Sequence, residues 1–182
     1  MSKAIGLVEY KTIPKGIEAA DAMLKASEVQ LLFSSPICPG KYVTIVGGEV
    51  DSVKTAVDKA VAVGDIFSVD SHVLTSLHPS VLPAITATVE IKKVEALGVV
   101  ETISAVAAIK AGDVAAKAGN VALVEIRIAR GLGGKGFVLF TGDLGSVETS
   151  VRACAKKLGE EGGIVSSAVI PSPHKDLISS VL

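Results

Sequence analysis

The chain has 182 residues, 49 % of them hydrophobic but only 3 % aromatic, and its 18 basic and 19 acidic side chains leave a net charge of −1. That balance excludes a basic, aromatic-studded nucleic-acid face and a long charged tail. Mean hydropathy is high at +0.54, yet no run approaches the roughly 18–20 uninterrupted apolar residues of a membrane helix. The most apolar stretch, 96–109, is broken by Glu101, Thr102 and Ser104. The excess apolar surface is therefore expected in a core and in subunit interfaces, which resemble a core cut in half. Two cysteines exclude a disulfide scaffold and fit a reducing cytosol. The opening MSKAIGLVEY carries one Lys and runs into a strand-like segment, so no signal peptide is expected.

In chain order, AIGLVEY is a β-branched run that predicts a strand. Lys15 to Ser27 places Ile17, Ala20, Met23 and Leu24 at helical spacing, with charges opposite. A second strand is predicted over Val29–Ser34. The segment SPICPGK, with two prolines and a glycine, reads as a loop. Tyr42–Val46 forms a third strand that stops at Gly47–Gly48. Ser52–Val63 is a second helix, with Val53, Ala56, Val57, Ala60 and Val61 on one face. Ile66–Leu74 is a fourth strand, and Pro79–Ile85 a short helical turn.

The pattern then repeats. Ala4 set against Ala96 makes Gly6, Val8, Glu9, Ile17, Asp21, Lys25, Ala26, Val29 and Leu31 recur as Gly98, Val100, Glu101, Ile109, Asp113, Lys117, Ala118, Val121 and Leu123. After a two-residue insertion, Gly40, Lys41, Gly48, Ser52, Val53, Thr55 and Val57 recur as Gly134, Lys135, Gly142, Ser146, Val147, Thr149 and Val151. A repeat of this length marks one structural unit written twice. The boundary falls at the charged stretch around Thr88–Glu95, giving domains 1–90 and 91–182. The order β-α-β-β-α-β in each copy predicts an α+β fold, two tandem ferredoxin-like domains of the split βαβ type.

Cys38 is the sharpest candidate for chemistry. A lone cysteine is more often a small buried hydrophobe than a ligand. Pro36 and Pro39 flank this one in a loop, and loops run over surfaces. Cys-Pro also closes one iron–sulfur cluster run. Cys154, in VRACAKKL, aligns with Ala60 and is expected in the core. The second copy's loop, GLGGKG, satisfies G-x-G-x-x-G. That motif requires a helix directly after it, whereas FVLF reads as a strand. Nucleotide binding is not expected. The loop is read as a flexible, closely approaching backbone, with Arg130 and Lys135 adding positive charge. His72, His78 and His174 have no metal-ligand spacing. No nucleophile elbow or paired carboxylates stand out, and Glu9 and Glu101 read as a structural feature of the repeat. Enzymatic activity is not expected.

The GLVE strand, the D-A-M-L-K-A helix end and the V-I-P-S-P-H tail resemble bacterial microcompartment shell proteins over essentially the whole chain. The tandem order is similar to their trimer-forming, non-permuted class, in which three two-domain chains imitate a six-domain hexagonal tile. The SPICPGK loop and HPSVLPAI resemble the iron–sulfur shell protein of propanediol-utilisation microcompartments. The resemblance implies a pseudohexagonal homotrimer in a microcompartment shell within the cytoplasm, without nucleic-acid or membrane partners. It implies a central loop built from Pro36, Ile37, Cys38, Pro39 and Gly40 of the first copy and Gly131, Leu132, Gly133 and Gly134 of the second. Cys38 would be the ligand of a [4Fe–4S] cluster, one per trimer. A threefold axis brings three Cys38 thiolates together and leaves one iron for a non-protein ligand. The implied role is electron transfer across the shell to redox enzymes in the lumen or cytosol, or cluster supply. The alternative is a structural tile with a small-molecule pore and no cluster. Lys25 and Lys117 match the family's edge lysine, implying contacts with other shell proteins. Ser80 and Ser172 stand where the family often has an Arg that helps this contact.

Overall fold

The computed structural model describes residues 3–91, 93–128 and 131–181. The chain divides into two compact units. One runs to Leu77 and takes in the loop 131–134; the other comprises His78–Ile128 and Lys135 onward. Segment 78–95, which follows the first copy's last strand, thus packs with the second unit.

In the first unit, strand β1 (Ala4–Tyr10) is buried along its whole length. It lies between β3 (Lys41–Gly48) and β4 (Ser68–Thr75) in a four-stranded antiparallel sheet of order β2-β3-β1-β4, with β2 (Gln30–Ile37) at the edge. Helix α1 (Ile13–Ala26) carries Pro14 in its first turn, where the missing N–H costs no intrahelical hydrogen bond. Helix α2 (Val50–Gly64) presents Val53, Ala56, Val57 and Ala60 to the sheet. These side chains meet Val8, Tyr10, Met23, Tyr42 and Val46 in one apolar core. Gly6 is required by that approach, since a Cβ there would stand 2.5 Å from Val57 Cγ2.

The second unit repeats the plan. Strands β5 (Ala96–Thr102), β6 (Ala122–Ile128), β7 (Gly136–Gly142) and β8 (Ile164–Pro171) form a sheet of order β6-β7-β5-β8. Helices α4 (Ala105–Ala118) and α5 (Leu144–Gly159) cover it. Ser104 caps α4 by accepting from the Ala107 N–H, and Asp143 caps α5 by accepting from the Ser146 N–H. Each cap satisfies a donor that a helix start leaves open. Both units therefore have the α+β, split βαβ architecture that the sequence predicts. Two short helices complete the chain, α3 (Val81–Ile85) and α6 (Lys175–Val181). Among the described residues no helix is long and apolar enough to cross a membrane.

Some element ends differ from the sequence reading. β2 continues through Ser35, Pro36 and Ile37, which pair with Val43, Tyr42 and Lys41. Proline is tolerated there because β2 is an edge strand whose outward N–H positions need no partner strand. The start of the predicted fourth strand is a 3-10 turn, Asp65–Phe67, with β4 following.

Candidate functional site

The β2–β3 hairpin carries Cys38 at its tip. Ile37 beneath it is buried and anchors the turn, while Pro36, Cys38, Pro39 and Gly40 are exposed. The Gly40 N–H donates to the Ile37 carbonyl at 3.1 Å. Gly40 has φ +82 with open space where a Cβ would point, a left-handed conformation that glycine adopts without steric cost. The Cys38 thiol is exposed and free of any disulfide. A thiol in that setting is available as a soft donor to a metal or cluster.

The glycine loop packs beside this hairpin. A Cβ on Gly134 would lie 3.2 Å from Pro39 Cδ and 3.3 Å from Lys41 Nζ. Gly131 and Gly133 are exposed at positive φ with nothing within 4 Å of their Cβ directions. A strand, β7, follows the loop, so the helix N-terminus that a dinucleotide motif requires is absent at this place. Arg130 lies outside the described residues.

Two ion pairs, which the sequence reading did not identify, tie the loop ends to their sheets. Lys41 Nζ lies 2.7 Å from Glu9 Oε1, and the Glu9 side chain is fully buried. Lys135 Nζ lies 2.6 Å from Glu101 Oε1. Lys135, followed by Ser166, holds the Glu101 carboxyl below the usual carboxylate range, because both stabilise its charged form. The signal for these pairs was present in the repeat: Glu9 and Lys41 recur together as Glu101 and Lys135.

The other candidates fall elsewhere. Cys154 is fully buried, its Sγ donating to the Ala111 carbonyl at 3.3 Å, and burial pushes its thiol up to about 12. Lys25 and Lys117 each bridge the aspartate one turn earlier, Asp21 at 2.6 Å and Asp113 at 2.5 Å. His78 Nδ1 lies 2.7 Å from Ser80 Oγ, and His174 Nδ1 lies 3.5 Å from Asp176 Oδ2. Among the described residues no three His, Cys, Asp or Glu side chains gather where they could hold a metal ion. A single chain thus offers one exposed thiol. That fits a ligand contributed to a group shared between chains, and does not fit a complete site within one chain.

The BMC domain matches residues 4–77 and 96–173. The bacterial microcompartment shell protein PduT of Citrobacter freundii is 44 % identical over 177 residues, 97 % of this chain and 96 % of that one. The bacterial microcompartment shell protein PduA of Salmonella typhimurium is 40 % identical over 83 residues. That match takes in 86 % of PduA but 43 % of this chain, as a duplicated unit requires. A solved structure of a microcompartments protein from Desulfitobacterium hafniense DCB superposes with a TM-score of 0.88 at 47 % identity, covering 98 % of this chain and 99 % of that one. Two matched BMC domains on two matching sheets make this chain a tandem-domain member of the bacterial microcompartment shell protein family, with a structural and not an enzymatic role.

Proposed function

We propose that this shell protein is a homotrimeric tile of propanediol-utilisation type that carries one [4Fe–4S] cluster at its threefold axis, held by Cys38 from each chain. The supporting observation is the exposed, unbridged Cys38 thiol at a hairpin tip of one copy only. The equivalent loop of the other copy has glycines in its place. Six identical loops would make a sixfold centre, whereas this divergence makes it threefold, with three thiolates for four irons. The chain's residues bind and orient. Cys38 supplies the thiolate, Ile37 anchors the turn, and the Glu9–Lys41 pair fixes the β3 side of the hairpin. A bound cluster of this kind supplies one-electron transfer, here across the shell to redox enzymes on either side. Lys25 and Lys117 would meet neighbouring shell proteins at the tile edges.

Anaerobically purified protein is expected to show broad absorbance near ~400 nm and to contain iron and sulfide. Cys38→Ser should abolish the colour and leave the trimer intact. Colourless protein made under iron-replete anaerobic conditions, or colour that survives Cys38→Ser, overturns the proposal. The second reading is a structural tile with a small-molecule pore. It is favoured by the exposed, side-chain-free backbone of Gly131 and Gly133, and predicts no iron.

A further inference from the structure

The glycines of the two central loops differ in what they touch. Gly40, Gly131, Gly133 and Gly134 all sit at positive φ, between +60 and +92. For the first three, the Cβ direction opens onto nothing within 4 Å. Gly134 alone of the four is buried, and a Cβ there would stand 3.2 Å from Pro39 Cδ, 3.3 Å from Lys41 Nζ and 3.5 Å from Lys41 Cε. These contacts lie inside one compact unit, because loop 131–134 belongs with the residues up to Leu77.

What the contacts hold is the hairpin tip. Ile37 and Lys41 are paired, so the turn consists of Cys38, Pro39 and Gly40, and all three are exposed. Pro39 Cδ is bonded to the nitrogen of the peptide that joins Pro39 to Cys38. Whatever presses on that carbon therefore presses on the backbone that carries the thiol. Lys41 closes the other side of the turn, and its ammonium is not free to swing away. It lies 2.7 Å from Glu9 Oε1, and the Glu9 side chain is fully buried. Loop 131–134 thus meets the Cys38 hairpin at a rigid ring and a tethered lysine.

We infer that Gly134 is a positioning residue for Cys38: the bare backbone of the second copy's loop seats against Pro39 and Lys41 and fixes the direction in which the thiol is presented. The inference rests on the reading of Cys38 as a ligand and gives the second loop a part in it. One copy supplies the sulfur and the other the seat that aims it. A Cβ at 3.2 Å forces its neighbour back by a few tenths of an ångström. A binding constellation tolerates an error of only about 0.5 Å, and a threefold axis repeats any error at every thiol. Glycine is therefore required at 134 by contact as well as by φ, whereas Gly40, its sequence counterpart, has no such contact.

The test compares Gly134→Ala with Gly162→Ala. Gly162 lies between α5 and β8 at φ +67, with open space about its Cβ direction. Its variant therefore carries the backbone strain without the contact. In protein prepared free of iron, the rate of Cys38 alkylation by iodoacetamide should change by about threefold or more in Gly134→Ala, since small misplacements of a reacting group carry large kinetic effects. It should keep the parent's value in Gly162→Ala. In anaerobically prepared protein, Gly134→Ala should lower iron and sulfide per chain by about half or more and alter the visible circular dichroism of the remainder. Pro39→Ala tests the route. With the ring gone, Gly134→Ala should add little to either change, the non-additivity expected of residues in contact. If Gly134→Ala does not fold, one glycine inserted after Gly133 slackens the loop without adding a side chain and should move the same two readouts. A smaller change in alkylation rate overturns the inference, as does an equal change in Gly162→Ala or full additivity with Pro39→Ala. A parent without iron overturns the cluster proposal alone, because the alkylation rates are read in its absence.

Discussion

Leu31 and Leu123 occupy the same place in the two copies, so truncating each to Ala separates folding from assembly. Leu123 is fully buried. Its truncation should cost about 2–5 kcal/mol, the transfer term plus a cavity the core cannot collapse. Leu31 is 43 % exposed in the single chain. Removing its outer carbons forfeits less there, because a site open to solvent leaves no closed void. The difference reappears on assembly. If a neighbouring chain of the proposed homotrimer covers Leu31, the exposed share amounts to about 1 kcal/mol per contact, from about 0.8 kcal/mol per buried methylene. Over the three contacts of a ring, Leu31→Ala weakens association by about 3 kcal/mol, roughly two orders of magnitude in the trimerisation constant. Urea unfolding measures the first effect and sedimentation equilibrium the second. A Leu31→Ala trimer as tight as the parent would refute the reasoning, as would a Leu123→Ala chain as stable as the parent.

Other outcomes follow from single contacts. Gly16→Ala should destabilise by about 1–3 kcal/mol in urea unfolding, because its Cβ would stand 2.4 Å from Tyr42 Cβ. Iodoacetamide should label Cys38 and spare Cys154 in folded protein prepared free of iron, read by peptide mass spectrometry, since one thiol is exposed and the other buried. Burial holds the folded Cys154 thiol at about 12, above its unfolded value of about 8.5. Its stability contribution is therefore complete below about 8.5 and falls by about 1.4 kcal/mol per pH unit as pH rises toward 12. Cys154→Ala should make that alkaline decline shallower in urea titrations. Glu101 has the opposite sign. Its folded carboxyl is held low by Lys135, so its contribution is present above the ordinary carboxylate pKa and lost as pH falls through the folded value. Carboxyl-carbon NMR of Lys135→Met should show Glu101 titrating at higher pH than in the parent.

Much of the fold was legible because it is periodic. A repeated strand–helix–strand pattern states its own register, and every central strand, helix and hairpin falls where that pattern puts it. Cys154 was legible as core because Ala60 sits in its place, and both are fully buried. The edges were less so. Pro36 reads locally as a loop residue, yet β2 is an edge strand and carries it in pairing with Tyr42. The Glu9–Lys41 pair joins residues 32 positions apart. Only the pairing of β1 with β3 brings them together, and no local window contains that register.

Least legible was the exposure of Ile17, Asp21 and Leu31. Hydrophobic spacing put Ile17, Ala20, Met23 and Leu24 on the apolar face of α1, but the buried face is Gly16, Ala19, Ala20 and Met23, with Ile17 and Leu24 exposed; Ile109 and Leu123, the counterparts of Ile17 and Leu31 in the second unit, are fully buried. Whether a position is covered depends on which segment arrives, and that is a property of chain connectivity. The segment after β4 carries α3, which packs on β6 and α4 and buries Val81 and Ala84, whereas α6 after β8 buries none of its residues. An internal repeat thus works as its own control. Where two identical residues differ in burial, as Leu31 and Leu123 do, the difference comes from the segments packed around them and not from the residues themselves.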